Sequence, residues 1–236
     1  MRFLPISKKD QASQDTPGVK RLSRDCKATV NIGAFSRGGQ TRGEYKASDH
    51  DFGGTEHYIP CGILEEDTTY LHVTFGSSAK TSDFLVDTLP AWWYGLTVQE
   101  QGAIEQIQLK MDNGPESSGM RTQCLHRMVP LVDTIGKPFQ LLYYPPYHSK
   151  YNSIERCWGL LELHWNGTPL RSDDTMLEGA QSMTWKGLKP VVDLSRKVYA
   201  KGVTLSKTAM QAVEARLERN PLLRKWDILI HPARAT

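Results

Sequence analysis

A chain of 236 residues, 39% hydrophobic and 23% charged with six Trp, is long enough for one well-buried core plus an appendage, and this composition excludes wholesale disorder. The four cysteines, Cys26, Cys61, Cys124 and Cys157, form no C-x-x-C pair, so they indicate neither a disulfide framework nor a zinc ribbon and fit a reducing cytosol. The apolar run around Phe3–Ile6 is too short for a signal-peptide core, and no stretch approaches the ~20 residues of a membrane span, so a soluble, cytoplasmic protein is expected.

The net charge of +3 is unevenly distributed. From Lys150 onward there are 14 Lys+Arg against 9 Asp+Glu, a balance of +5, which leaves −2 for residues 1–149. A basic C-terminal third beside an acidic cluster suits a polyanionic partner with bound metal. A solvated basic face explains the charge alone equally well.

In chain order, residues 1–18 have no periodicity and read as a flexible lead-in. Val19–Val30 reads as a strand passing Asp25, although Lys20, Arg21 and Arg24 make it polar for a central one. The Gly-rich stretch 33–54 is a long loop. His57–Leu64 and Tyr70–Phe75 follow as two strands joined by the turn Glu65–Thr69. Thr81–Gln101 carries a helical apolar stripe with a kink expected at Pro90, and Ile104–Met111 alternates as a strand ending at Asp112. Glu116–Ile135 reads as a helix opened by Pro115 and closed by Gly136, Phe139–Tyr144 as a short strand, and Asn152–Trp165 as a helix striped by Ile154, Cys157, Trp158, Leu161 and Trp165. The result is an α/β fold, a mixed five-stranded sheet flanked by helices over residues 19–166. Asp173–Met183, Pro190–Tyr199 and Ser206–Arg219 read as helices of an all-α extension over 167–236.

Three acidic residues stand at the ends of these elements: Asp25, Asp112 in Asp112-Asn113-Gly114-Pro115-Glu116, and Glu155 at the close of Tyr144-Pro145-Pro146-Tyr147-His148-Ser149-Lys150-Tyr151-Asn152-Ser153-Ile154-Glu155. Carboxylates converging from separate elements can hold two divalent cations about 4 Å apart, one at the attacking oxygen and one at the leaving oxygen. Oxygen-only ligands select magnesium, or manganese, over zinc. Glu155 lies 43 residues after Asp112, room for one helix, one strand and a loop. Each acid also has a structural explanation. Asp112 precedes an Asn-Gly turn, and Asn152-x-x-Glu155 approximates a capping box.

The run Asp25–Gly33 with Ser36-Arg37-Gly38-Gly39, the Asp112–Glu116 segment and Pro145-Pro146-Tyr147-x-Ser149-x-x-Asn152-x-Ile154-Glu155-Arg156 resemble the catalytic domain of ISAzo-type insertion-sequence transposases of the DDE group. The tail from Met183-Thr184-Trp185-Lys186-Gly187 to Lys225-Trp226-Asp227-Ile228-Leu229-Ile230 is similar to that family's C-terminal end. The resemblance covers roughly residue 19 onward. It implies an RNase H-like fold, a DDE triad of Asp25, Asp112 and Glu155 that binds Mg2+ or Mn2+, metal-dependent DNA cleavage and strand transfer, and a homo-oligomer on DNA at the bacterial nucleoid. The related mariner-like signature has Pro where this chain has Ser153. Members of the family carry an N-terminal helix-turn-helix region, so the chain is expected to be a truncated copy or a reading-frame fragment. A catalytically inactive DNA-binding remnant and a different RNase H-like nuclease are the alternatives.

His148, Lys150 and Arg156 adjoin Glu155, and Lys186, Lys189, Arg196, Lys197 and Lys201 could follow a DNA backbone; ordinary loop and surface roles weigh nearly as much. Asp49-His50-Asp51 with His57 reads as a polar loop more than a metal cluster. Trp92, Trp93, Trp158 and Trp165 fall on apolar stripes and are expected in the core.

Overall fold

The computed structural model describes residues 16–33, 56–120, 122–145, 148 and 151–233. The lead-in up to residue 15, the Ser36–Gly39 motif, Asp49, His50, Asp51 and Lys150 lie outside the described residues.

The strands are β1 (Val19–Cys26), β2 (Val30–Asn31), β3 (His57–Glu65), β4 (Leu71–Gly76), β5 (Gln106–Asp112), β6 (Phe139–Tyr144), β7 (Val191–Ser195), β8 (Leu217–Arg219) and β9 (Asp227–Ile230). The helices are α1 (Ser82–Gly95), α2 (Val98–Ala103), α3 (Thr122–Ile135), α4 (Glu155–Trp165), α5 (Asp173–Ser182) and α6 (Lys207–Glu214). One sheet runs in the order β7-β4-β3-β1-β5-β6-β9-β8, with β2 paired to β3. β3 is antiparallel to β1 and β4, whereas β5 runs parallel to β1 and β6 parallel to β5. The central five strands, β4-β3-β1-β5-β6, thus form the mixed RNase H-like sheet that the resemblance implies.

β1 is central despite its charges because they find partners. Lys20 pairs with Glu65 and Arg21 with Asp67. The buried Arg24 guanidinium donates to the Leu85 carbonyl at 3.0 Å and to Met111 Sδ at 3.2 Å. On one sheet face, Leu22, Ile107, Leu109, Phe139 and Leu141 pack against Val86, Leu89 and Trp92 of α1 and Cys124, Met128 and Val132 of α3. On the other, Tyr58, Leu64, Val73 and Phe75 pack against Ile154, Trp158, Leu161 and Trp165 from the start and body of α4, and against Met176 and Ala180 of α5. All four tryptophans expected in the core are buried.

Several elements depart from the sequence reading. Pro190–Tyr199, expected as a helix, contains β7, which runs parallel to β4 from His72↔Val191 to Gly76↔Ser195. Its short apolar spacing fits either structure locally, and pairing with a strand more than 100 residues away decides it. Likewise Ser206–Arg219 divides into α6 and β8, and β9 lies antiparallel to β6 with Ile228 and Ile230 fully buried. The C-terminal segment is therefore no all-α extension; it supplies strands to both edges of the sheet, which exceeds the five expected. Pro90 sits inside α1, and Thr97 opens the separate α2 with a capping box to Glu100.

Gly62 fixes how close α4 can lie. A Cβ there would come within 2.6 Å of both Ile154 Cδ1 and Trp158 Cη2. Gly62→Ala is therefore expected to destabilise the fold by about 1–3 kcal/mol, the usual cost of overpacking. Urea unfolding of the variant checks this, and unchanged stability would mean that α4 shifts freely on the sheet.

Candidate active site

Parallel pairing of β1 and β5 brings the two aspartates together. The register runs from Val19↔Gln106 to Arg24↔Met111, and Asp25 and Asp112 are each one residue further along, where both strands end at the same sheet edge. The turn after Asp112 is held by its own polar groups. Ser117 Oγ donates to the Asp112 carbonyl at 2.7 Å, and Asn113 Oδ1 accepts from Gly119 N–H at 3.2 Å. These local bonds compete with a helix, which is why α3 starts at Thr122 and not at the expected Glu116.

Glu155 opens α4. The expected Asn152 capping box is absent: the residue before α4 is Ile154, with no side-chain cap. Asn152 is fully buried and turns toward β1. Its Nδ2 donates to the Arg24 carbonyl at 3.1 Å, and its Oδ1 accepts from Ser23 Oγ. Ser23 Oγ in turn accepts from Ile154 N–H at 3.1 Å. One turn into α4, the Trp158 indole N–H donates to Asp25 Oδ2 at 3.1 Å. Ser153, where the mariner-like signature has Pro, donates from Oγ to Glu66 Oε1 at 3.3 Å.

Asp25, Asp112 and Glu155 each offer a carboxylate oxygen, and these atoms lie within 4.8 Å of one another. They form the one such potential metal-holding group among the described residues. Burial pushes the Asp25 carboxyl up to about 6, with the Trp158 hydrogen bond opposing and Asp112 reinforcing. Asp112 is raised by burial against the pull of Lys80, and Glu155 is raised by burial and by both aspartates. Asp112 Oδ1 is buried with no hydrogen-bond partner. Such an acceptor is costly unless something satisfies it. A hard divalent cation would do so and would also neutralise the mutual repulsion, so the donor set fits magnesium or manganese.

The acids line a cavity of about 570 Å³ whose walls also carry Lys27, Lys80, Glu116, Trp158 and Glu162. Lys27 pairs with Glu162, and Lys80 lies 3.9 Å from Glu116. Sequence reasoning missed Lys27, Lys80 and the Trp158 contact with Asp25. Lys27 stands two residues from Asp25, but nothing in the sequence marks Lys80, which reaches the cavity from the segment between β4 and α1. Among the described residues, none of the cations expected to follow DNA lines this cavity. His148 stacks on Tyr151 with centroids 5.9 Å apart. Arg156, Lys186, Lys189 and Lys201 are exposed. Arg196 pairs with Asp173 and Lys197 with Asp87. His57 is exposed at the start of β3.

A family model described as the Rhodopirellula transposase DDE domain matches residues 1–232. The chain belongs to this family. No curated protein matches the transposase domain. Among solved structures it is similar to a chain in the cryo-EM structure of the simian T-cell lymphotropic virus intasome in complex with the PP2A regulatory subunit B56 gamma, at 17% identity and a TM-score of 0.38. That similarity covers 75% of the transposase domain and 63% of the intasome chain.

The raised Asp25 carboxyl gives a signed pH dependence. An acid near 6 when folded and ~3.9 when unfolded binds more protons in the folded state between these values, so its contribution to stability falls as pH rises through that window. With a chelator present, Asp25→Asn should therefore stabilise the domain at pH 7.5 by up to about 2–3 kcal/mol and have little effect near pH 4. Urea titrations of both proteins at the two pH values check it; an equal effect at both would show that the Asp25 carboxyl is not raised in the folded state.

Proposed function

We propose that the chain performs divalent-metal-dependent phosphodiester cleavage and strand transfer on the DNA of an insertion sequence, acting in the cytoplasm at the nucleoid. The observation that carries this reading is the convergence of Asp25, Asp112 and Glu155 within 4.8 Å, with the Asp112 Oδ1 acceptor buried and unpaired. Mg2+ is the proposed ion, with Mn2+ able to replace it. When bound, a pair of such ions supplies positive charge at the attacking and leaving oxygens of an in-line displacement.

The chain's own residues do the rest. Asp25, Asp112 and Glu155 would hold the ions through their carboxylate oxygens. Trp158 keeps the Asp25 carboxylate oriented through Oδ2. Lys27 and Lys80, on the cavity wall, present charge to phosphate oxygens flanking the scissile bond. In the first displacement a water oxygen attacks phosphorus, the bond from phosphorus to the 3′-oxygen breaks, and a free 3′-hydroxyl remains at the element's end. That hydroxyl then attacks a phosphodiester of the target, whose own 3′-oxygen leaves. Both displacements proceed without a covalent bond between protein and DNA. DNA ends and target are the proposed partners, with a homo-oligomer forming on them. The exposed His148, Arg156, Lys186, Lys189, Arg196, Lys197 and Lys201, with Lys150, are the proposed contacts to flanking phosphates.

Cleavage and joining are separable in one assay with labelled oligonucleotides carrying an element end and a target plasmid. Asp112→Asn and Glu155→Gln should each lower Mg2+-dependent cleavage by about three orders of magnitude, since several kcal/mol of transition-state stabilisation are lost at 1.36 kcal/mol per decade. Their circular dichroism should match wild type. Near-wild-type cleavage by either variant would sink the site; cleavage without joining would identify a nuclease.

Phosphate contacts also carry a salt signature. Each one lost should reduce the slope of log affinity against log salt by about 1. Lys186→Ala and Lys189→Ala are expected to weaken binding equally on element-end and scrambled duplexes, as read by fluorescence anisotropy across a salt series. Loss confined to the element-end duplex would instead make these residues base-reading.

A further inference from the structure

We infer that Ser23 and Asn152 are positioning residues that lock the strand of Asp25 to the helix of Glu155, and that their hydrogen-bonded latch sets the divalent-cation affinity of the site. The inference rests on the reading of the three carboxylates as metal ligands. Ser23 lies two residues before Asp25, on the same face of β1, and Asn152 lies three residues before Glu155. Both side chains are completely buried.

The latch joins polar groups of the two segments directly. Asn152 Nδ2 donates to the Arg24 carbonyl, at the last residue of β1 in the ladder with β5 and directly before Asp25. Asn152 Oδ1 accepts from Ser23 Oγ, and that oxygen accepts from the Ile154 N–H. Two side chains thus tie the backbone of β1 at residue 24 to the backbone of the α4 entry at residue 154, one position before each outer carboxylate. Because α4 begins without a side-chain cap, the Ser23 hydroxyl also fills the role that a capping residue otherwise takes. It does so from across the sheet.

A purely structural role would make the latch a source of stability with no bearing on the carboxylates. Position argues against that. Hydrogen bonds that orient metal ligands typically contribute 10–100-fold to metal binding, and the latch fixes the backbones one residue before Asp25 and Glu155. Here the ligands come from two elements that share no covalent continuity within about 130 residues. Small relative movement of β1 and α4 would separate Asp25 from Glu155 while leaving each element intact.

Mn2+ binding to the full chain, followed by electron paramagnetic resonance, tests this with Ser23→Ala, Asn152→Ala, the double variant and Asp112→Asn. Thermal unfolding monitors folding in each. Ser23→Ala, the mildest change, should remain folded and bind Mn2+ 10–100-fold more weakly. The double variant should lose less affinity than the two single effects combined, because the two side chains also bond each other. If Asp112→Asn abolishes binding while Ser23→Ala binds as wild type, the latch is overturned and the metal site stands. If Asp112→Asn binds Mn2+ as wild type, the metal reading fails and the inference with it. Should Asn152→Ala not fold, Ser23→Ala alone still decides.

Discussion

Mutual repulsion among Asp25, Asp112 and Glu155 is the constraint around which the rest of the structure is arranged. Carboxylate oxygens within 4.8 Å of one another repel by about 4 kcal/mol per fully ionised pair at 4 Å and an effective dielectric of 20. Left to themselves the three groups would separate or take up protons; burial pushes all three carboxyls up, and repulsion from neighbouring acids adds to this at Asp25 and Glu155. The fold blocks the first. Asp25 and Asp112 are fixed by a parallel ladder six residue pairs long, and Glu155 is fixed by the packing of α4.

Packing and hydrogen bonding divide that work. Ile154 and Trp158 press onto β3 at Gly62, where no side chain could intervene, and burial of each contributes on the order of 1.5–3 kcal/mol. This sets the distance between α4 and the sheet but is indifferent to small rotations. Directional bonds supply the rest: Trp158 to Asp25, and Asn152 and Ser23 between the two backbones. Apolar contact therefore holds the acids near one another and polar contact holds them in register. Within the acid cluster Asp112 Oδ1 remains buried without a hydrogen-bond partner, and a cation has most to offer there.

How much of this was readable in the sequence depends on whether the controlling interaction is local. Phe139–Tyr144 and the stripe of α4 carry their own periodicity, and both are found where the pattern puts them. The convergence of the three acids was legible because Asp25 and Asp112 lie near the ends of their strands and Glu155 opens α4. β7 was not, since Val191–Ser195 becomes a strand only through β4. Asn152 is more instructive. Its spacing from Glu155 matches a cap, yet the partner that captures its amide is Ser23, 129 residues away, and no local pattern encodes that choice. Lys80 is hidden for the same reason.

The asymmetry of charge along the chain takes a different meaning once the sheet is known. The basic C-terminal third does not form a separate module, because β7 lies at one edge of the sheet and β8 and β9 at the other, with the acid cluster at the end of the strands between them. Among its described cations, Arg196, Lys197, Arg216 and Arg219 are also paired locally, with Asp173, Asp87, Asp133 and Glu214. Meanwhile Lys27 and Lys80 stand at the cavity itself, each beside a glutamate. A phosphodiester entering the cavity would compete with Glu162 and Glu116 for these lysines, and the partly exposed Lys80–Glu116 pair, at 3.9 Å, holds only weakly. The cavity thus combines an acid cluster short of positive charge with a nearby cation whose present partner is readily exchanged. That is the electrostatic pattern expected where cations and a polyanion must be accommodated together.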